Sequence, residues 1–177
     1  LEAEEMLRRM GQDGGARDGA GIRVGQGFDI HRTATGRRLV LGGVEIPHPM
    51  GLLGHSDADV VAHAVTDALL GAAGLGDIGR HFPDTDPVYE GADSIELLSR
   101  AAAMCREAGY SLVNCDVTII AQTPRVSQYA GEMAARLARA METAPECVNI
   151  KGKTTEMLGA IGRSEAIACS AAVLAAR

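Results

Sequence analysis

The pattern of apolar and polar residues becomes regular at residue 22 and predicts that the folded part of the chain opens with strands. The first strand is predicted over residues 22–30. Two short apolar runs follow, 38–41 and Val44–Ile46, and Gly42 and Gly43 between them suit a two-residue turn. We therefore expect a β-hairpin soon after the first strand.

The next segment carries apolar residues three and four positions apart, which predicts a helix. Ser56 is expected to begin this helix, with Asp59 three residues later as its capping-box partner. The glycines within residues 71–74 then end the apolar pattern, so the helix is expected to stop there.

Two helices and three strands are predicted in the second half of the chain. One helix spans about 93–107, and the other follows Ser127. Strands are expected over 112–121, 147–151 and 165–174. The last of these is rich in Ala, so propensity alone would also permit a helix, but we favour a strand.

Strands and helices mix without a regular strand-helix-strand alternation. This order predicts the α+β class, with a mixed β-sheet and helices packed on one face. Residues 22–177 are long enough for one domain with its own core. Residues 1–21 are expected to form a helical tail followed by a flexible linker rich in Gly, Asp and Arg.

Charge and cysteine content narrow the classes of function. The net charge is −6, and no stretch gathers enough Lys and Arg for nucleic-acid binding. An anionic substrate must therefore be met locally, by metal ions, backbone N–H groups or a few side chains. The four cysteines have no metal-site spacing, and neither a signal peptide nor a membrane span is visible. We expect free thiols, a cytoplasmic location and no membrane partner.

The strongest chemical signal is the pair Asp29 and His31, which lie two apart in a strand and so point to the same side. His63 on the following helix is the third candidate. One carboxylate and two imidazoles bind Zn²⁺ while leaving a position open for substrate. Asp67 is expected either to accept the spare ring N–H of a ligating histidine or to be a solvated carboxylate. The competing interpretation of the pair is ordinary structural polarity.

Two other clusters suit phosphate. His55 and Ser56 lie at the predicted helix start, where free N–H groups favour an anion, although Ser56 can instead serve only as a cap. Lys153, Thr154 and Glu156 crowd the end of a strand, where Glu156 suits Mg²⁺ and the other two suit charge on phosphorus. A capped turn is the alternative for that cluster.

Eight motifs in order resemble the cyclodiphosphate synthase family, and they cover the chain from about residue 22 to its end. They are Gly25-x-Gly27-Phe28-Asp29-x-His31, Leu52-Leu53-Gly54-His55-Ser56-Asp57-Ala58-Asp59-Val60, Thr66-Asp67-Ala68-Leu69-Leu70-Gly71-Ala72, Gly76-Asp77-Ile78-Gly79, Phe82-Pro83-Asp84-Thr85-Asp86, Asp116-Val117-Thr118-Ile119-Ile120-Ala121-Gln122-x-Pro124, Lys151-x-Lys153-Thr154-Thr155-Glu156 and Gly162-Arg163-x-Glu165.

The resemblance implies a homotrimer with active sites between neighbouring subunits. It implies a cytidine-diphosphate-linked substrate, 4-diphosphocytidyl-2-C-methyl-D-erythritol 2-phosphate, whose own 2-phosphate attacks the β-phosphorus to give a cyclic diphosphate and CMP. Carried over, Asp29, His31 and His63 resemble the Zn²⁺ ligands. Glu156 and the diphosphate would hold Mg²⁺ or Mn²⁺, and His55 and Thr154 resemble the residues that stabilise the transition state.

The resemblance also implies a set of substrate contacts, many of them through backbone groups. The set is Asp29, Ile30, His31, His55, Ser56, Asp77, Ile78, Gly79, Phe82, Pro83, Asp84, Thr85, Asp86, Ala121, Gln122, Thr123, Pro124, Arg125, Val126, Ser127, Lys153, Thr154, Thr155, Glu156 and Arg163. Lys153 and Ala160 depart from relatives that carry Thr and Phe. Residues 1–21 have no counterpart in single-function members, and this predicts covalent fusion to a cytidylyltransferase domain.

Three rival functions follow from the same residues. Two histidines and a carboxylate also make the iron site of non-haem oxygenases, but the cluster of Thr154 and Glu156 has no role in that chemistry. A metal-dependent phosphohydrolase would aim a water at phosphorus and release phosphate. A non-catalytic trimer that binds phosphorylated metabolites would show affinity without turnover.

Overall fold

The computed structural model describes residues 21–177, which form a five-stranded mixed sheet and a separate two-stranded hairpin. The strands are β1 Ile22–Thr35, β2 Leu39–Leu41, β3 Val44–Ile46, β4 Met50–Leu52, β5 Ser111–Ile120, β6 Val148–Lys153 and β7 Ala166–Ala176. Apart from Gly21, the helical tail and linker predicted for residues 1–21 lie outside the described residues.

The large sheet has the strand order β4-β1-β7-β5-β6. Strand β1 is antiparallel to both β4 and β7, β5 is antiparallel to β7, and β5 and β6 run parallel. The chain returns to the middle of the sheet with its last strand, which is why β7 joins the first strand to the β5–β6 pair. The predicted mixed sheet of the α+β class is confirmed.

The helices are α1 Val60–Ala73, α2 Ile78–His81, α3 Ser94–Glu107, α4 Ala130–Met141 and α5 Gly159–Gly162. Single 3₁₀ turns lie at Pro87–Tyr89, Ser127–Tyr129 and Pro145–Cys147. Helix α1 packs on β1 and β7, α3 packs on α1, and α4 packs on α3 and β6. These contacts enclose one apolar core between the helices and a single face of the sheet.

Helix α1 lies unusually close to β1 because two glycines face it. A Cβ atom at Gly27 would lie 2.0 Å from the carbonyl oxygen of Ala64, and one at Gly25 would lie 1.8 Å from that of Ala68. Neither distance is sterically possible, so only glycine fits at these two positions. The spacing Gly-x-Gly in β1 is therefore a packing requirement of α1.

The predicted start of the first helix is wrong by four residues. The helix begins at Val60 instead of Ser56, and Asp59 is its N-cap. Residue Ala58 has φ 61°, a left-handed conformation that cannot continue a right-handed helix. The side chain of Asp59 accepts hydrogen bonds from two N–H groups of the helix and also from the N–H groups of Gly42 and Gly43. The cap thus ties the hairpin turn to α1.

The predicted end of the first strand is also wrong. Strand β1 continues beyond residue 30 to Thr35 because residues 33–35 pair with β4, a short strand that the sequence pattern did not reveal. The other strand and helix predictions hold to within a few residues. The Ala-rich segment is a strand, as favoured, and it pairs with β1 from Ile22 to Arg32.

The face of the sheet opposite the helices carries exposed apolar side chains. Alternate residues of β1 point there, and Val24 and Phe28 are 72% and 52% exposed in the single chain. Ile22 and Ile30 on the same face are also exposed. Between Gly21 and Arg177, no helix has the length and apolar character needed to cross a membrane.

The cysteines have no disulfide partner in the described chain, in agreement with the expected free thiols: Cys105, Cys115, Cys147 and Cys169. Burial raises the pKa of Cys105 to about 11 and that of Cys115 to about 12. A buried thiol with a raised pKa holds little thiolate at neutral pH, so these residues act as small core side chains.

Candidate active site

Three potential metal ligands converge where the start of α1 faces the middle of β1. The Oδ2 atom of Asp29 lies 2.9 Å from Nε2 of His31 and 2.9 Å from Nδ1 of His63, and the two ring nitrogens are 3.2 Å apart. Within residues 21–177 this is the only group of three or more such side chains with ligand atoms close enough to hold one ion.

This donor triangle fits a tetrahedral zinc ion. Ligand bonds of 2.0–2.1 Å in a tetrahedron place neighbouring donor atoms about 3.3 Å apart. The observed edges of 2.9, 2.9 and 3.2 Å are close to that value. Three protein ligands leave the fourth position for a substrate oxygen, so the prediction of a metal site at Asp29, His31 and His63 is supported by the geometry.

Local structure explains why the three side chains meet. Asp29 and His31 are two apart on β1 and follow Gly25 and Gly27 on the face that packs against α1. His63 lies in the first turn of α1, where its N–H bonds to the carbonyl of the N-cap residue at 3.0 Å. Because Gly25 and Gly27 allow α1 to pack close to β1, the side chains of Asp29 and His31 reach the first turn of α1.

Without a metal ion, the pKa shifts favour an ion pair between the carboxylate of Asp29 and a protonated His63. Burial would raise the pKa of Asp29, but hydrogen bonds with His31 and His63, together with their charges, hold that pKa far below its usual range. Burial would lower the pKa of His63, but its hydrogen bond with Asp29 and the nearby carboxylates raise that pKa. A cation at this point would take the place of the proton between carboxylate and imidazole.

A cavity of about 420 Å³ opens from the three ligands. Its lining includes residues predicted to contact substrate: Asp29, His31, His55, Ser56, Ile78, Gly79, Phe82 and Asp84. Asp77, Pro83, Thr85 and Asp86 lie in the same loops without lining the cavity, and the carbonyl of Asp86 is 3.4 Å from Nε2 of His55. Most of the predicted substrate contacts between residues 29 and 86 thus lie around the metal ligands.

A second cavity of about 160 Å³ lies at the end of the β5–β6 pair. Its lining holds most of the predicted cytidine contacts: Ala121, Gln122, Pro124, Arg125, Val126, Ser127, Lys153 and Thr154. Thr123 precedes Pro124 through a cis peptide bond. Thr155 donates to the carbonyl of Leu158, and Glu156 accepts from the Thr154 hydroxyl at 2.7 Å.

The family is decided by comparison with known sequences. A family profile described as the YgbB family matches residues 22–176. The chain belongs to the YgbB family. The family membership predicted from the eight ordered motifs is confirmed, and the match covers both cavities.

Named relatives of this YgbB-family chain share one activity. The 2-C-methyl-D-erythritol 2,4-cyclodiphosphate synthase of Dechloromonas aromatica is 60% identical over 156 residues, which are 88% of this chain and 98% of that protein. The structure of bifunctional IspDF from Campylobacter jejuni has a TM-score of 0.85 and 44% identity, over 88% of this chain and 42% of that chain. A Plasmodium falciparum IspF structure, a CDP complex, has a TM-score of 0.78 and 35% identity, over 89% and 97%.

The two cavities of this YgbB-family chain are separate. Among the described residues no side chain lines both. Across the sheet Asp29 aligns with Cys169, then with Ile119 and then with Gly152. Three strand spacings of about 4.8 Å put roughly 14 Å between β1 and β6. A single chain therefore does not bring Thr154 and Glu156 to the metal ligands.

Two other predicted contacts lie outside both cavities. The side chain of Ile30 points to the helix-free face of the sheet, while its N–H donates to Oδ1 of Asp29 at 2.8 Å. Arg163 is fully exposed and forms two hydrogen bonds with Glu165, beside Arg32 and Thr33. Neither side chain reaches the three metal ligands within one chain.

Of the two interpretations left open for Asp67, acceptance of the spare ring N–H of His63 is wrong. The carboxylate of Asp67 instead accepts from the N–H of Ile78 at 2.7 Å, in the loop that leads to α2. The second ring nitrogen of His63 instead faces the hydroxyls of Ser56 and Ser94. No local signal marked Ser94, which lies 31 positions away and resembles any first residue of a helix.

The predicted phosphate cradle at the helix N-terminus also needs correction. The first N–H groups of α1, those of Val61 and Ala62, are occupied by the carboxylate of Asp59. Because Asp59 is completely buried, it leaves no room for an anion at that end of the helix. His55 and Ser56 reach the cavity from the loop before the cap, so any phosphate contact there comes from their side chains.

Proposed function

We propose that this chain is a metal-dependent cyclodiphosphate synthase. It converts 4-diphosphocytidyl-2-C-methyl-D-erythritol 2-phosphate into 2-C-methyl-D-erythritol 2,4-cyclodiphosphate and releases CMP. The observation that carries the proposal is the three-ligand centre of Asp29, His31 and His63, open to a cavity, in a chain 60% identical to a synthase of that name.

The reaction needs positioning more than acid–base chemistry. An oxygen of the 2-phosphate attacks the β-phosphorus, the bond from that phosphorus to the bridging oxygen breaks, and CMP leaves with the oxygen. No water is consumed. The barrier falls when the two phosphates are held close together and the charge on the reacting oxygens is stabilised.

Different residues of the chain would bind the metal ions and contact the phosphate oxygens. Asp29, His31 and His63 would hold Zn²⁺, which supplies positive charge at phosphate oxygens when bound. The ring of His55 lies at the cavity wall, where it can donate to a phosphate oxygen. In the second cavity Thr154 orients the carboxylate of Glu156, which together with the diphosphate would hold Mg²⁺ or Mn²⁺.

The active form is a homotrimer with sites between subunits. Strands β1 and β6, which carry the two groups of predicted site residues, lie roughly 14 Å apart in one chain, and a neighbouring copy would supply the second group. The helix-free face, with exposed Ile22, Val24, Phe28 and Ile30, is an apolar surface that association would bury. Both observations support the same assembly.

The cytidine is proposed to occupy the cavity at the end of β5 and β6. The related Plasmodium falciparum IspF was solved with CDP, and the alignment with it covers 89% of this chain. Fusion to a cytidylyltransferase domain is proposed by analogy with the bifunctional Campylobacter jejuni protein. The cytoplasmic location stays a prediction.

The proposal is tested by following CMP release from the cytidine-linked substrate with Mg²⁺ by chromatography. His55→Ala and Thr154→Ala should each slow release by roughly 100- to 1,000-fold, as for the loss of one group that stabilises transition-state charge. His48→Ala is the matched control, because among residues 21–177 the hydrogen bonds of that ring are with the backbone of Met50 in its own turn. Release of inorganic phosphate without CMP would instead identify a phosphohydrolase.

A further inference from the structure

The ring of His63 is held on the side away from the metal ligands by two hydroxyl groups. Its Nε2 atom lies 2.9 Å from Oγ of Ser94 and 3.0 Å from Oγ of Ser56. Ser94 is the first residue of α3 and is 1% exposed, so its hydroxyl is shielded from solvent. Neither hydroxyl is part of the metal centre.

The direction of the hydrogen bond at Ser94 is fixed by Asp57. The hydroxyl of Ser94 donates to Oδ1 of Asp57, and the N–H of Ser94 donates to the other carboxylate oxygen at 3.3 Å. A carboxylate only accepts, and a hydroxyl has one hydrogen. The oxygen of Ser94 is therefore left to accept, so its hydrogen bond with His63 requires a proton on Nε2.

This proton placement leaves the other ring nitrogen of His63 unprotonated in the neutral ring. That nitrogen, Nδ1, is the atom 2.9 Å from Asp29 and 3.2 Å from His31. A metal ion binds only the ring nitrogen that has a free lone pair. Without a metal ion the Asp29 carboxylate competes for a proton on Nδ1, and the chain from Asp57 through Ser94 favours the tautomer that the metal centre requires.

Asp57 is itself anchored on both sides. Its N–H bonds to the carbonyl of Ala92 at 3.1 Å, and its Oδ1 accepts from the N–H of Asp59 at 3.2 Å. These contacts fix the loop before α1 against the start of α3. The hydroxyl of Ser94 therefore has a rigid acceptor, which is what orienting a histidine ring requires.

We propose that Asp57 and Ser94 are positioning residues for the metal ligand His63. They set its tautomer and ring orientation through the hydrogen-bond chain from Nε2 to the Ser94 hydroxyl to the Asp57 carboxylate. The inference rests on the proposed metal centre, but it concerns metal binding rather than cyclisation. Failure of the cyclase assay would therefore not decide this inference, which is tested by Zn²⁺ affinity and by the position of the ring proton of His63.

The first test observes the ring directly. Long-range ¹H–¹⁵N NMR of the Zn²⁺-loaded protein with labelled histidine should show His63 protonated on Nε2 and without a proton on Nδ1. Its signals are assigned by their loss in His63→Ala. A ring protonated mainly on Nδ1 would overturn the proposal.

The second test measures Zn²⁺ affinity by competition with a chromogenic chelator. Ser94→Ala and Asp57→Ala should each weaken Zn²⁺ binding by roughly 10- to 100-fold, the usual effect of losing such a partner. Ser94→Thr keeps the hydroxyl and should retain both the affinity and the tautomer.

A matched control removes another buried hydroxyl from the same neighbourhood. Thr66 is fully buried on α1 one turn beyond His63, and its hydroxyl bonds only to the carbonyl of Ala62. Thr66→Val should leave Zn²⁺ affinity within about twofold of wild type and should leave the tautomer unchanged. Equal losses in Thr66→Val and Ser94→Ala would show a general packing effect and contradict the proposed role.

Discussion

The Oδ2 atom of Asp29 and the Nδ1 atom of His63 lie 2.9 Å apart although the residues are 34 positions apart in the chain. The contact depends on how closely α1 approaches β1. That approach is set by Gly27, where a Cβ would come within 2.0 Å of the backbone of Ala64, the residue after His63. A packing detail of the core therefore determines the metal centre.

Substitution of Gly27 by Ala should damage both stability and metal binding. The added methyl group must push α1 away from β1, and overpacking of this kind costs about 3 kcal/mol at the upper end of its usual range. The shift also separates His63 from Asp29. Urea unfolding and Zn²⁺ titration measure the two effects.

The control for that variant is Gly71→Ala on the same helix. A Cβ at Gly71 would contact nothing within 4 Å, and alanine favours the helix by about 1 kcal/mol. Gly71→Ala should therefore be slightly more stable than wild type and should bind Zn²⁺ normally. Similar losses in both variants would contradict the link between helix approach and the metal centre.

The stabilisation by Zn²⁺ should grow with pH. In the metal-free protein the pKa of His63 is raised above its unfolded value of 6.5, so its stabilising contribution is complete below that pH and is lost as pH rises through the folded pKa. Zn²⁺ competes with this proton for Nδ1. Melting temperatures with Zn²⁺ and with a chelator should therefore differ more near about pH 8 than near about pH 6.

Asp29 does not reverse this trend, because its pKa is lowered and its contribution is lost only in strong acid. In His63→Ala the difference between the Zn²⁺-loaded and chelator-treated proteins should shrink and should depend less on pH. A difference that stays constant or narrows as pH rises would contradict the assignment of His63 as a ligand.

Asp59 should be one of the most stabilising polar residues in the chain. Its buried carboxylate accepts from four backbone N–H groups, two in α1 and two in the turn at Gly42 and Gly43. Asp59→Ala leaves these donors buried without partners, and we expect a loss of about 3–5 kcal/mol in the free energy of unfolding. Asp93→Ala, which removes an exposed N-cap, should cost only about 1 kcal/mol. Equal losses would be inconsistent with the bridging role of Asp59.

The proposed trimer depends on the helix-free face of the sheet. Val24→Asp places a charge at a position that is 72% exposed in the single chain but would be buried on association. Light scattering after size exclusion should show the mass falling from three chains to one chain of 18.4 kDa. Val88 is equally exposed, at 71%, but lies in a 3₁₀ turn away from that face. Val88→Asp should remain trimeric, and a wild-type monomer would refute the assembly.

Much of the fold followed from local patterns. The hairpin, the two long helices after residue 90 and the last strand were predicted because apolar spacing and turn residues agree there. The start of α1 was missed because Ser56 and Asp59 have the spacing of a capping box, while the left-handed conformation of Ala58 has no signature in an alanine. Strand β4 was missed because three residues carry too little pattern.

The candidate site, like the fold, was predicted where local patterns specify it and missed where tertiary contacts do. Asp29 and His31 share a face by strand geometry alone, and His63 was added as a candidate from its place on the following helix. The pairing of Asp57 with Ser94 could not be predicted, because it joins residues 37 positions apart through a tertiary contact between a loop and α3. The separation of the two cavities depends on strand order, which local patterns do not specify.

The most direct test of the proposed function is phosphorus NMR of the protein incubated with the cytidine-linked substrate and Mg²⁺. The expected result is the simultaneous growth of CMP and of two coupled phosphorus signals from a cyclic diphosphate, in wild type and not in His63→Ala. Growth of inorganic phosphate, or an unchanged substrate spectrum with intact Zn²⁺ binding, would contradict the assignment of this chain as a cyclodiphosphate synthase.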